Sequence, residues 1–427
     1  MLTSTIVDFY AAKFIEKGYK KTGLLISLCT NLGFLLFFKY LNFTFDNFIG
    51  FLDFLGLDST RWGYIPQIAL PIGISFYTFQ TLSYTIDVYR GNTKANNNFL
   101  EFATYVTMFP QLVAGPIVRY TDIAQELRER HTTLSDISYG IERFIVGLGK
   151  KAILANTFAY VADEIFALPD YAMNPGVAWI GIISYSLQIY FDFSGYSDMA
   201  IGLGRIMGFR ILENFNYPYI SKSIKEFWRR WHMSLSFWFR DYVYISLGGN
   251  RKGKYRTYIN LLIVFFVTGL WHGASWNFVV WGMFHGLFLL IERIGFDKIL
   301  SRLWQPLQHF YTLMVVIVGW VFFRADTLQD ALYYLGDMFF LNSCLTSSVS
   351  AFLYLNFEYV LMLVVAIILC TPVYKIVREY IDQIELKQLT PNFPVKGVLF
   401  FSLSSLFIVS VLYISASSYN PFIYFRF

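Results

Sequence analysis

Charged residues are scarce in this chain. Asp, Glu, Lys and Arg make up 15% of the 427 residues, whereas hydrophobic residues make up 56%. A soluble domain is usually about a quarter charged and roughly 45–50% apolar. The mean hydropathy of +0.47 also lies outside the soluble range. The shortage of charge therefore argues against a soluble protein and predicts an integral membrane protein.

Cysteine and histidine are also rare, with three and five copies. Cys29, Cys344 and Cys370 are widely spaced in mostly apolar surroundings, so we expect buried, reduced thiols and no disulfide framework. Because the chain has no CxxC pair and no His/Cys metal spacing, we expect neither a metal ion nor a tightly bound cofactor. Charged residues from Asp8 to Lys17 precede the first apolar run, which argues against a signal peptide.

Long apolar stretches recur along the chain. The clearest are residues 23–41, 65–86, 140–166, 176–193, 257–270, 274–291, 309–323, 359–375 and 395–418. About 20 apolar residues span a bilayer as a helix, and some stretches are shorter or broken. Residues 102–117 contain Pro110, Gly115 and Pro116, so we expect a re-entrant or kinked segment beside a cavity. The pattern predicts one all-α polytopic domain over residues 1–427, with about nine to eleven spanning or re-entrant helices. Residues 1–22 are expected to be a polar, amphipathic lead-in.

Positive charge is concentrated in one block. Its nine basic residues are Lys222, Lys225, Arg229, Arg230, Arg240, Arg251, Lys252, Lys254 and Arg256, opposed only by Glu226 and Asp241. The positive-inside rule assigns this block to the cytoplasmic side, where it can face anionic lipid headgroups. Its glycine-rich turn at residues 248–253 is also suited to the phosphates of a cytosolic donor. We expect no nucleic-acid partner.

The segment directly before this turn, FWRRWHMSLSFWFRDYVYISL, covers residues 227–247. As one helix it would carry a polar and aromatic face made of Trp228, His232, Ser236 and Arg240. A histidine on such a face is commonly a hydrogen-bonded structural residue. The adjacent charges of Arg240 and Asp241 are expected to face a cavity or a partner, because charges at membrane depth are costly in lipid.

The segment LWHGASWNFVVWGMFHG, residues 270–286, surrounds His272 with aromatic residues. Burying an imidazole costs free energy unless the ring is hydrogen-bonded or used in function. Three of the five histidines fall between positions 232 and 285, which points to a functional site. His285 follows His272 by 13 residues, about 220° around a continuous helix. The two cannot share a face of such a helix, so we interpret His285 as structural.

Three further ionisable residues lie in or beside apolar stretches. Asp192 and Asp198 stand among small residues, which favour close packing of helices. We therefore expect a tight, polar helix crossing at this point. Arg324 ends the apolar run VIVGWVFFRA, and we interpret it as a terminal cation that extends to the membrane surface.

Taken in order, these segments resemble a membrane-bound O-acyltransferase (MBOAT). The resemblance is to the branch of the alginate O-acetyltransferase membrane subunit and the peptidoglycan O-acetyltransferases. The motifs that carry it are PIGISFYTFQTLSYTIDVYRG (71–91), FPQLVAGPIVRY (109–120), IYFDFSGYSDMAIGLGRIMGF (189–209), the stretch from NFNYPY to GGNRKG (214–253), LWHGASWNFVVWGMFHG (270–286) and GWVFFRA (319–325). The resemblance implies an MBOAT fold around a central cavity or tunnel, with the catalytic motifs at residues 214–291. Family members usually carry about two further helices before the segment that corresponds to Ser4–Tyr10.

The resemblance also implies roles for individual residues. His272 matches the family's catalytic histidine, and His232, 40 residues upstream, matches its second histidine. We expect His272 to activate the acceptor hydroxyl, since neutral imidazole suits a general base near neutral pH, and His232 to orient or stabilise the acyl carbonyl. The residues expected to bind the substrate or donor are Arg240, Asp241, Asn250, Arg251, Lys252, Trp271, Trp276 and Asn277. The indoles of Trp271 and Trp276 are possible hydrogen-bond donors, although packing is their more usual task.

The family further implies substrates, partners and a location. Acetyl-CoA is the expected co-substrate, and the expected acceptor is an exported or cell-wall polysaccharide. Because the chain has no GxSxG-type nucleophile motif, a separate SGNH-type acetyltransferase or esterase outside the membrane is the expected partner. The expected location is the bacterial cytoplasmic (inner) membrane.

Other functions remain open from the sequence. A D-alanyltransferase of the teichoic-acid type shares a similar WH…WFRDY core, although the LGGNRKG and LVAGPIVRY motifs favour the acetylating branch. A lipid or protein acyltransferase with a long-chain donor is chemically close. A polysaccharide or lipid transporter would also have many spans, but it predicts internal repeats, and none is visible here.

Overall fold

The computed structural model describes residues 1–113, 115–169, 172–341, 349–387, 393–416 and 419–421. Every regular element within these ranges is helical, as predicted. The first ten α-helices are α1 (Leu2–Glu16), α2 (Lys20–Leu35), α3 (Leu41–Phe54), α4 (Ile74–Arg90), α5 (Phe99–Thr107), α6 (Phe109–Leu112), α7 (Tyr120–Ile123), α8 (Leu134–Gly149), α9 (Asn156–Phe166) and α10 (Pro175–Ile206). The following ten are α11 (Ile224–Arg230), α12 (Met233–Trp238), α13 (Lys254–His272), α14 (Trp276–Ile291), α15 (Asp297–Leu300), α16 (Gln305–Arg324), α17 (Leu328–Met338), α18 (Phe357–Leu369), α19 (Val373–Lys387) and α20 (Phe393–Ala416).

Short segments of other helical types join some of these elements. π-Helices cover Leu36–Tyr40, Lys150–Ala155, Phe239–Tyr244 and Glu292–Phe296. 3₁₀ turns cover Ser59–Trp62, Pro218–Ile220 and Ala351–Leu353. A π-helix inserts one extra residue into a helical turn, and such insertions are frequent at functional sites. Two of the four adjoin the predicted site and are described with it below.

Local sequence specifies where several helices begin. Thr133 caps α8 by accepting a hydrogen bond from the backbone N–H of Asp136, whose carboxylate accepts the N–H of Thr133 in return. The longest helix, α10, begins with Asn174 as its cap and Pro175 in the first turn. Proline is tolerated there because its missing N–H would have no intrahelical partner.

Five helical segments of the described chain are long and apolar enough to cross a membrane. They are Lys20–Phe54, Leu134–Phe166, Trp276–Leu300, Gln305–Arg324 and Gly397–Ala416. A sixth crossing arises if α18 and the first part of α19, which meet at 63°, count as one broken span. The prediction of nine to eleven helices also counted α4, α10 and α13 as spanning or re-entrant. These three helices are shorter or more polar than the five segments above. The protein is therefore a multi-pass membrane protein.

The predicted tight crossing occurs between α8 and α10. A Cβ atom added to Gly147 would lie 2.6 Å from the carbonyl oxygen of Gly195, and one on Gly195 would lie 2.8 Å from that of Gly147. Gly140 and Gly202 make a second reciprocal approach one heptad away. The backbones therefore pass in direct contact, as small residues allow in membranes.

The carboxylates of α10 are neutralised at this crossing. Asp198 is paired with Arg143 and Lys150, and its Oδ2 lies 2.6 Å from Nζ of Lys150. Asp192 lies 2.8 Å from Nζ of Lys151. The π-helix at Lys150–Ala155 lets the two consecutive lysines both contact α10. These pairs agree with the rule that charges in membrane segments face other helices.

The N-terminal residues form part of the bundle. Within the segment 1–22, for which a polar, amphipathic lead-in was predicted, α1 is buried along one side against α2 and α4. The carboxylate of Asp8, which is 0% exposed, accepts hydrogen bonds from Ser27, Asn31 and Thr85. Such pairing is required because a buried, unsatisfied carboxylate is very costly.

The segment predicted to be re-entrant is broken as expected. α5 ends at Thr107, its cap residue Met108 has an extended backbone, and α6 carries Pro110 in its first turn. A Cβ on Gly115 would collide with the backbone of Gln111, so the chain folds back closely there. Val113 lines the cavity described below.

The expectations for Arg324 and for Cys29 were wrong. Arg324 does not extend to the membrane surface; it is 8% exposed and its Nη2 donates to Asp163 at 2.7 Å. Its guanidinium also lies over the rings of Phe166 and Tyr185, because α16 is covered by neighbouring helices. Of the cysteines, Cys370 is buried, Cys29 is exposed, and Cys344 lies outside the described residues.

Candidate active site

α13 and α14 form an antiparallel hairpin with His272 at its turn. α13 ends at His272, Gly273 is extended, and α14 begins at Trp276. Side chains on Gly269 or Gly282 would collide with backbone carbonyls of the opposite helix, at Phe278 and Phe265. The two backbones are therefore in contact, and this contact fixes the position of His272.

His272 borders a cavity of about 150 Å³. The side chain is 7% exposed, and its ring lies among the rings of Trp271, Trp281 and Phe323, at centroid distances of 4.8, 5.0 and 5.1 Å. The cavity is lined by Lys39, Leu70, Pro71, Ile72, Gly73, Ile74, Ser75, Phe76, Val113, Trp271 and His272. A largely apolar site with one imidazole and one ammonium group is the kind of concave site that binds small ligands.

Lys39 is a site residue that the sequence reasoning missed. Its Nζ donates to the backbone carbonyls of Trp271 and His272, at 2.6 and 3.0 Å, and lies 3.5 Å from the hydroxyl of Ser75. The next residue, Tyr40, donates its hydroxyl to the carbonyl of Leu270 at 2.6 Å. A lysine within the apolar stretch 23–41 was a usable signal, because an ionisable residue in a membrane segment is a functional candidate by default.

His232 is brought close to His272, but not by the predicted helix. α11 ends at Arg230 and α12 begins at Met233, with His232 between them at φ 44° and ψ 55°. The predicted face of Trp228, His232, Ser236 and Arg240 on one continuous helix was therefore wrong. The left-handed backbone of His232 redirects the chain, and hydrogen bonds from Met233 and Ser234 to Asn214 hold that conformation. The ring of Trp271 contacts both histidines, with centroid distances of 6.2 Å to His232 and 4.8 Å to His272.

Arg240 and Asp241 belong to a separate ionic cluster. Asp241 accepts hydrogen bonds from Arg240 at 2.6 Å and from Arg119 at 2.9 Å, and its backbone carbonyl accepts one from Arg90. The hydrogen bond to Asp241 raises the pKa of the Arg240 guanidinium, so Arg240 stays charged. Beside this cluster the hydroxyl of Tyr242 donates to Asp87 at 2.6 Å. Arg240 and Asp241 were expected to face a cavity or a partner, and Asp241 has an ion-pair partner in Arg119.

The predicted basic turn lies beside the ionic cluster. Asn250, Arg251 and Lys252 are exposed, and the turn is held by Asn260, which donates to the carbonyl of Gly249 at 2.9 Å. Gly248 and Gly249 have positive φ angles of 101° and 56°, which glycine adopts without strain. The turn thus exposes its cations while its backbone is fixed.

The cavity and the ionic cluster lie at opposite ends of α4. Ser75 near the start of α4 approaches Lys39, and Arg90 at its end donates to Ser246 and to the backbone of Asp241. Arg90 follows Ser75 by fifteen positions, which corresponds to about 22 Å of helix. The residues predicted to bind the donor therefore divide into a buried group at His272 and an exposed group at the basic turn.

Trp276 and Asn277 are not brought to the cavity. Trp276 is 55% exposed, and its Nε1 donates to Asn47 at 2.8 Å. Asn277 is buried and donates to the carbonyl of Ala325 at 2.7 Å, which ties α14 to the end of α16. Both side chains have structural partners, whereas Trp271 lines the cavity and touches both histidines.

His285 is buried in an aromatic cage on α14. Its ring contacts those of Trp228, Trp281 and Phe284, and the face of Gly319 lies against its Nε2. The premise of a continuous helix through His272 and His285 was wrong, because the chain reverses at Gly273. Both histidines contact the ring of Trp281, but His285 does not line the cavity.

Comparison with known proteins identifies the family of this chain. The model of the MBOAT, membrane-bound O-acyltransferase family, matches residues 94–325, which include both His232 and His272. The chain is 43% identical to the probable alginate O-acetylase AlgI of Pseudomonas putida over 418 residues, covering 95% of this chain and 84% of that protein. It is 33% identical to the peptidoglycan O-acetyltransferase of Helicobacter pylori over 471 residues, covering 100% of this chain and 87% of that protein. It is 31% identical to the teichoic acid D-alanyltransferase of Bacillus subtilis over 263 residues, covering 59% of this chain and 66% of that protein. With these matches and this arrangement of helices, the chain belongs to the membrane-bound O-acyltransferase family and is an acyltransferase.

Proposed function

We propose that this protein takes acetyl groups from cytosolic acetyl-CoA and passes them across a bacterial cytoplasmic membrane toward the hydroxyls of an exported or cell-wall polysaccharide. The observation that carries the proposal is the separation of the cavity at His272 from the basic turn. α13 begins at Lys254, beside the turn, and ends at His272. This length corresponds to about 27 Å, comparable to the hydrocarbon thickness of about 30 Å.

The basic turn is the proposed docking point for the donor. The positive-inside rule assigns it to the cytoplasm, where acetyl-CoA is found. The exposed side chains of Arg251 and Lys252 are suited to phosphate groups, and the charged Arg240 lies in the adjoining π-helix. CoA carries its thioester at the end of a long flexible arm, which suits a reaction centre far from the phosphates.

His272 is the proposed general base. Its imidazole accepts the proton of the acceptor hydroxyl as the new C–O bond forms, and the proton then passes to the thiolate as the C–S bond breaks. General-base catalysis of this kind contributes typically about 10²–10⁴-fold. The ammonium of Lys39 lines the same cavity, so it supplies positive charge near the oxyanion of the tetrahedral intermediate. The aromatic wall limits access of water, which would hydrolyse the thioester.

The acceptor is proposed from the relatives and from the position of the cavity. Two relatives, matched over nearly the whole chain, are an alginate O-acetylase and a peptidoglycan O-acetyltransferase by name. A cavity at the end of α13 remote from the basic turn is suited to an acceptor outside the cytoplasm. We propose that a separate SGNH-type acetyltransferase or esterase completes the transfer to the polymer there.

The test is transfer from labelled acetyl-CoA by the purified, membrane-reconstituted protein. We expect release of free CoA, with label reaching added alginate or peptidoglycan fragments when the SGNH-type partner is supplied. The His272→Ala variant should lose about 10²-fold or more of the CoA release. His131→Ala is the matched control, because His131 is exposed and lies away from the cavity.

Full transfer by a folded His272→Ala variant would contradict the role of His272. A D-alanyl thioester on a carrier protein, supplied in place of acetyl-CoA, tests the alternative of D-alanyl transfer. That alternative rests on a relative that matches only 59% of this chain. Turnover of the D-alanyl thioester alone would replace the acetyl donor in the proposal.

A further inference from the structure

His232 is buried in a strained backbone conformation with one nitrogen bonded and the other not. The side chain is 1% exposed and packs against the ring of Phe193 at 4.6 Å. Its Nδ1 lies 3.1 Å from Oδ1 of Asn214. Within the described residues, its Nε2 has no hydrogen-bond partner. A buried, unpartnered nitrogen costs about 1–3 kcal/mol. Nε2 of His232 is therefore a candidate for a hydrogen bond to a substrate.

The orientation of the Asn214 amide decides which nitrogen of His232 carries the proton. The backbone N–H of Ser234, which can only donate, lies 3.2 Å from Oδ1 of Asn214. The amide nitrogen of Asn214 donates to the hydroxyl of Ser197 at 3.2 Å. The oxygen therefore faces His232, and an oxygen without hydrogen can only accept. His232 must carry its proton on Nδ1, because the tautomer of a neutral imidazole follows from the bond that the ring makes.

Asn214 also holds the backbone around His232. The backbone carbonyl of Asn214 accepts a hydrogen bond from the N–H of Met233 at 2.9 Å, and its side-chain Oδ1 accepts one from the hydroxyl of Ser234 at 2.9 Å. That hydroxyl in turn accepts the N–H of Ile117 at 3.0 Å. A left-handed backbone at a residue other than glycine costs about 1–2 kcal/mol. Such strain persists only where the surrounding contacts fix it, and here those contacts converge on Asn214.

We propose that Asn214 is a positioning residue that keeps His232 in the Nδ1–H tautomer, so that His232 serves the transfer as a hydrogen-bond acceptor at Nε2. The proposal rests on the proposed acetyl transfer for its kinetic consequences, but the tautomer itself does not depend on it. A neutral His232 in this state has no N–H at Nε2 to donate. It therefore does not stabilise the acyl carbonyl as first expected; it binds an O–H or N–H group of the substrates.

Two sources can supply that donor group. One is the hydroxyl of the acetyl acceptor, and the other is an amide N–H in the arm of acetyl-CoA. The ring of Trp271, which lines the cavity, contacts that of His232, which does not line the cavity itself. Kinetics distinguish the two sources, because loss of the contact raises KM for the substrate that makes it.

The direct test is nitrogen NMR of the full-length protein with ¹⁵N-labelled histidine, with the His232 signals assigned from a His232→Gln variant. We expect a protonated Nδ1 and a bare Nε2 at neutral pH. Asn214→Asp should preserve this state, because an aspartate at the same place still accepts from Nδ1–H. Asn214→Ala should release the ring from the single tautomer. A proton on Nε2 in the unmodified protein, or an unchanged tautomer in folded Asn214→Ala, would overturn the proposal.

The kinetic test uses the same variants. We expect Asn214→Ala to reduce transfer by about 10- to 100-fold, the loss typical when a residue that orients a metal-bound histidine is removed, and Asn214→Asp to restore most of it. Asn216→Ala is the matched control, since Asn216 is exposed two residues away. Unreduced transfer in Asn214→Ala, while His232→Gln is inactive, would contradict a positioning role. Loss of acetyl transfer from every form, with the expected NMR tautomer, would instead overturn acetyl-CoA as donor and leave the tautomer assignment intact.

Discussion

Lys39 places its amino group at the end of the helix that carries His272. Its Nζ binds the carbonyls of Trp271 and His272, which have no intrahelical partners at the C-terminus of α13. The negative end of the helix dipole adds to this attraction. Lys39 lies outside the residues matched by the family model, 94–325, so its role comes from the structure. The N-terminal helices thus complete the cavity.

We expect Lys39→Met to reduce kcat by about 10- to 100-fold. Removing a charged donor from two carbonyls costs about 1.5–3 kcal/mol, and about 1.4 kcal/mol corresponds to tenfold in rate. KM for acetyl-CoA should change little, because the proposed docking point for its phosphates lies at the other end of α4. The measurement is steady-state release of CoA in reconstituted membranes.

Two further variants distinguish the charge of Lys39 from its hydrogen bonds to the end of α13. Lys94→Met is the matched control, since Lys94 is exposed, and it should leave kcat unchanged. Tyr40→Phe removes the neighbouring neutral hydrogen bond to Leu270, which is worth about 1 kcal/mol. Equal losses in Tyr40→Phe and Lys39→Met would speak against a role for the positive charge.

Among the elements, the α8–α10 crossing depends most on the absence of side chains. Gly195→Ala places a Cβ 2.8 Å from the carbonyl oxygen of Gly147 and 3.1 Å from the backbone nitrogen of Lys151. Because backbone atoms cannot yield as a side chain can, we expect a loss of about 1–3 kcal/mol in stability. Thermal unfolding of the detergent-solubilised protein measures it as a lower Tm.

Gly33→Ala is the control for the same chemical change in a helix. Within the described residues, no atom that could obstruct a Cβ lies within 4 Å of that position. Alanine is also the better helix former, by up to about 1 kcal/mol. We therefore expect an unchanged or slightly higher Tm. An equal decrease for both variants would show that the crossing is not closely packed.

The element that patterning predicted least well is the segment 227–247. Its periodicity favoured a single helix, yet the chain breaks at His232 and continues through a π-helix at Phe239–Tyr244. The partner responsible, Asn214, is 18 residues upstream of His232. Local periodicity carries no information about such a contact, so the break could not be predicted from the segment itself.

On the scale of the whole molecule, the basic turn and the cavity at His272 lie at opposite ends of α13, so the proposed function separates donor binding from the reaction. We expect Arg251→Gln, Lys252→Gln and Lys254→Gln together to raise KM for acetyl-CoA about tenfold while kcat stays nearly constant. The phosphates lose their partners, whereas His272 is untouched. Added salt should also affect the variant less, because salt screens exposed charges.

The matched control replaces three exposed lysines elsewhere, Lys17, Lys20 and Lys21, with glutamine. It changes the net charge equally, so it reports any general effect of charge on donor attraction or membrane insertion. An equal rise in KM in both triple variants would show that the basic turn is not a specific docking point.

Composition and motif order were sufficient for the class of this molecule. Scarce charge and recurring apolar stretches require a membrane environment, because each charge in lipid is costly and each backbone group must be paired within a helix. The sequence likewise identified His272 and His232 as candidates, because burying an imidazole costs free energy unless the ring is hydrogen-bonded or used in function. These inferences depend on the free energy of burying each residue, which follows from the type of residue and does not require the tertiary structure.

Only the tertiary structure decided which of the predicted residues meet. It brought His272, Trp271 and the unpredicted Lys39 to one cavity, kept Trp276 and Asn277 away from it, and left Arg240 and Asp241 at the far end of α4. It also placed Asn214 in hydrogen-bonding contact with the ring of His232 and with the backbone that follows it. The physical reason is that a hydrogen bond or a glycine contact between distant segments acts through distance in space, which spacing along the chain does not encode.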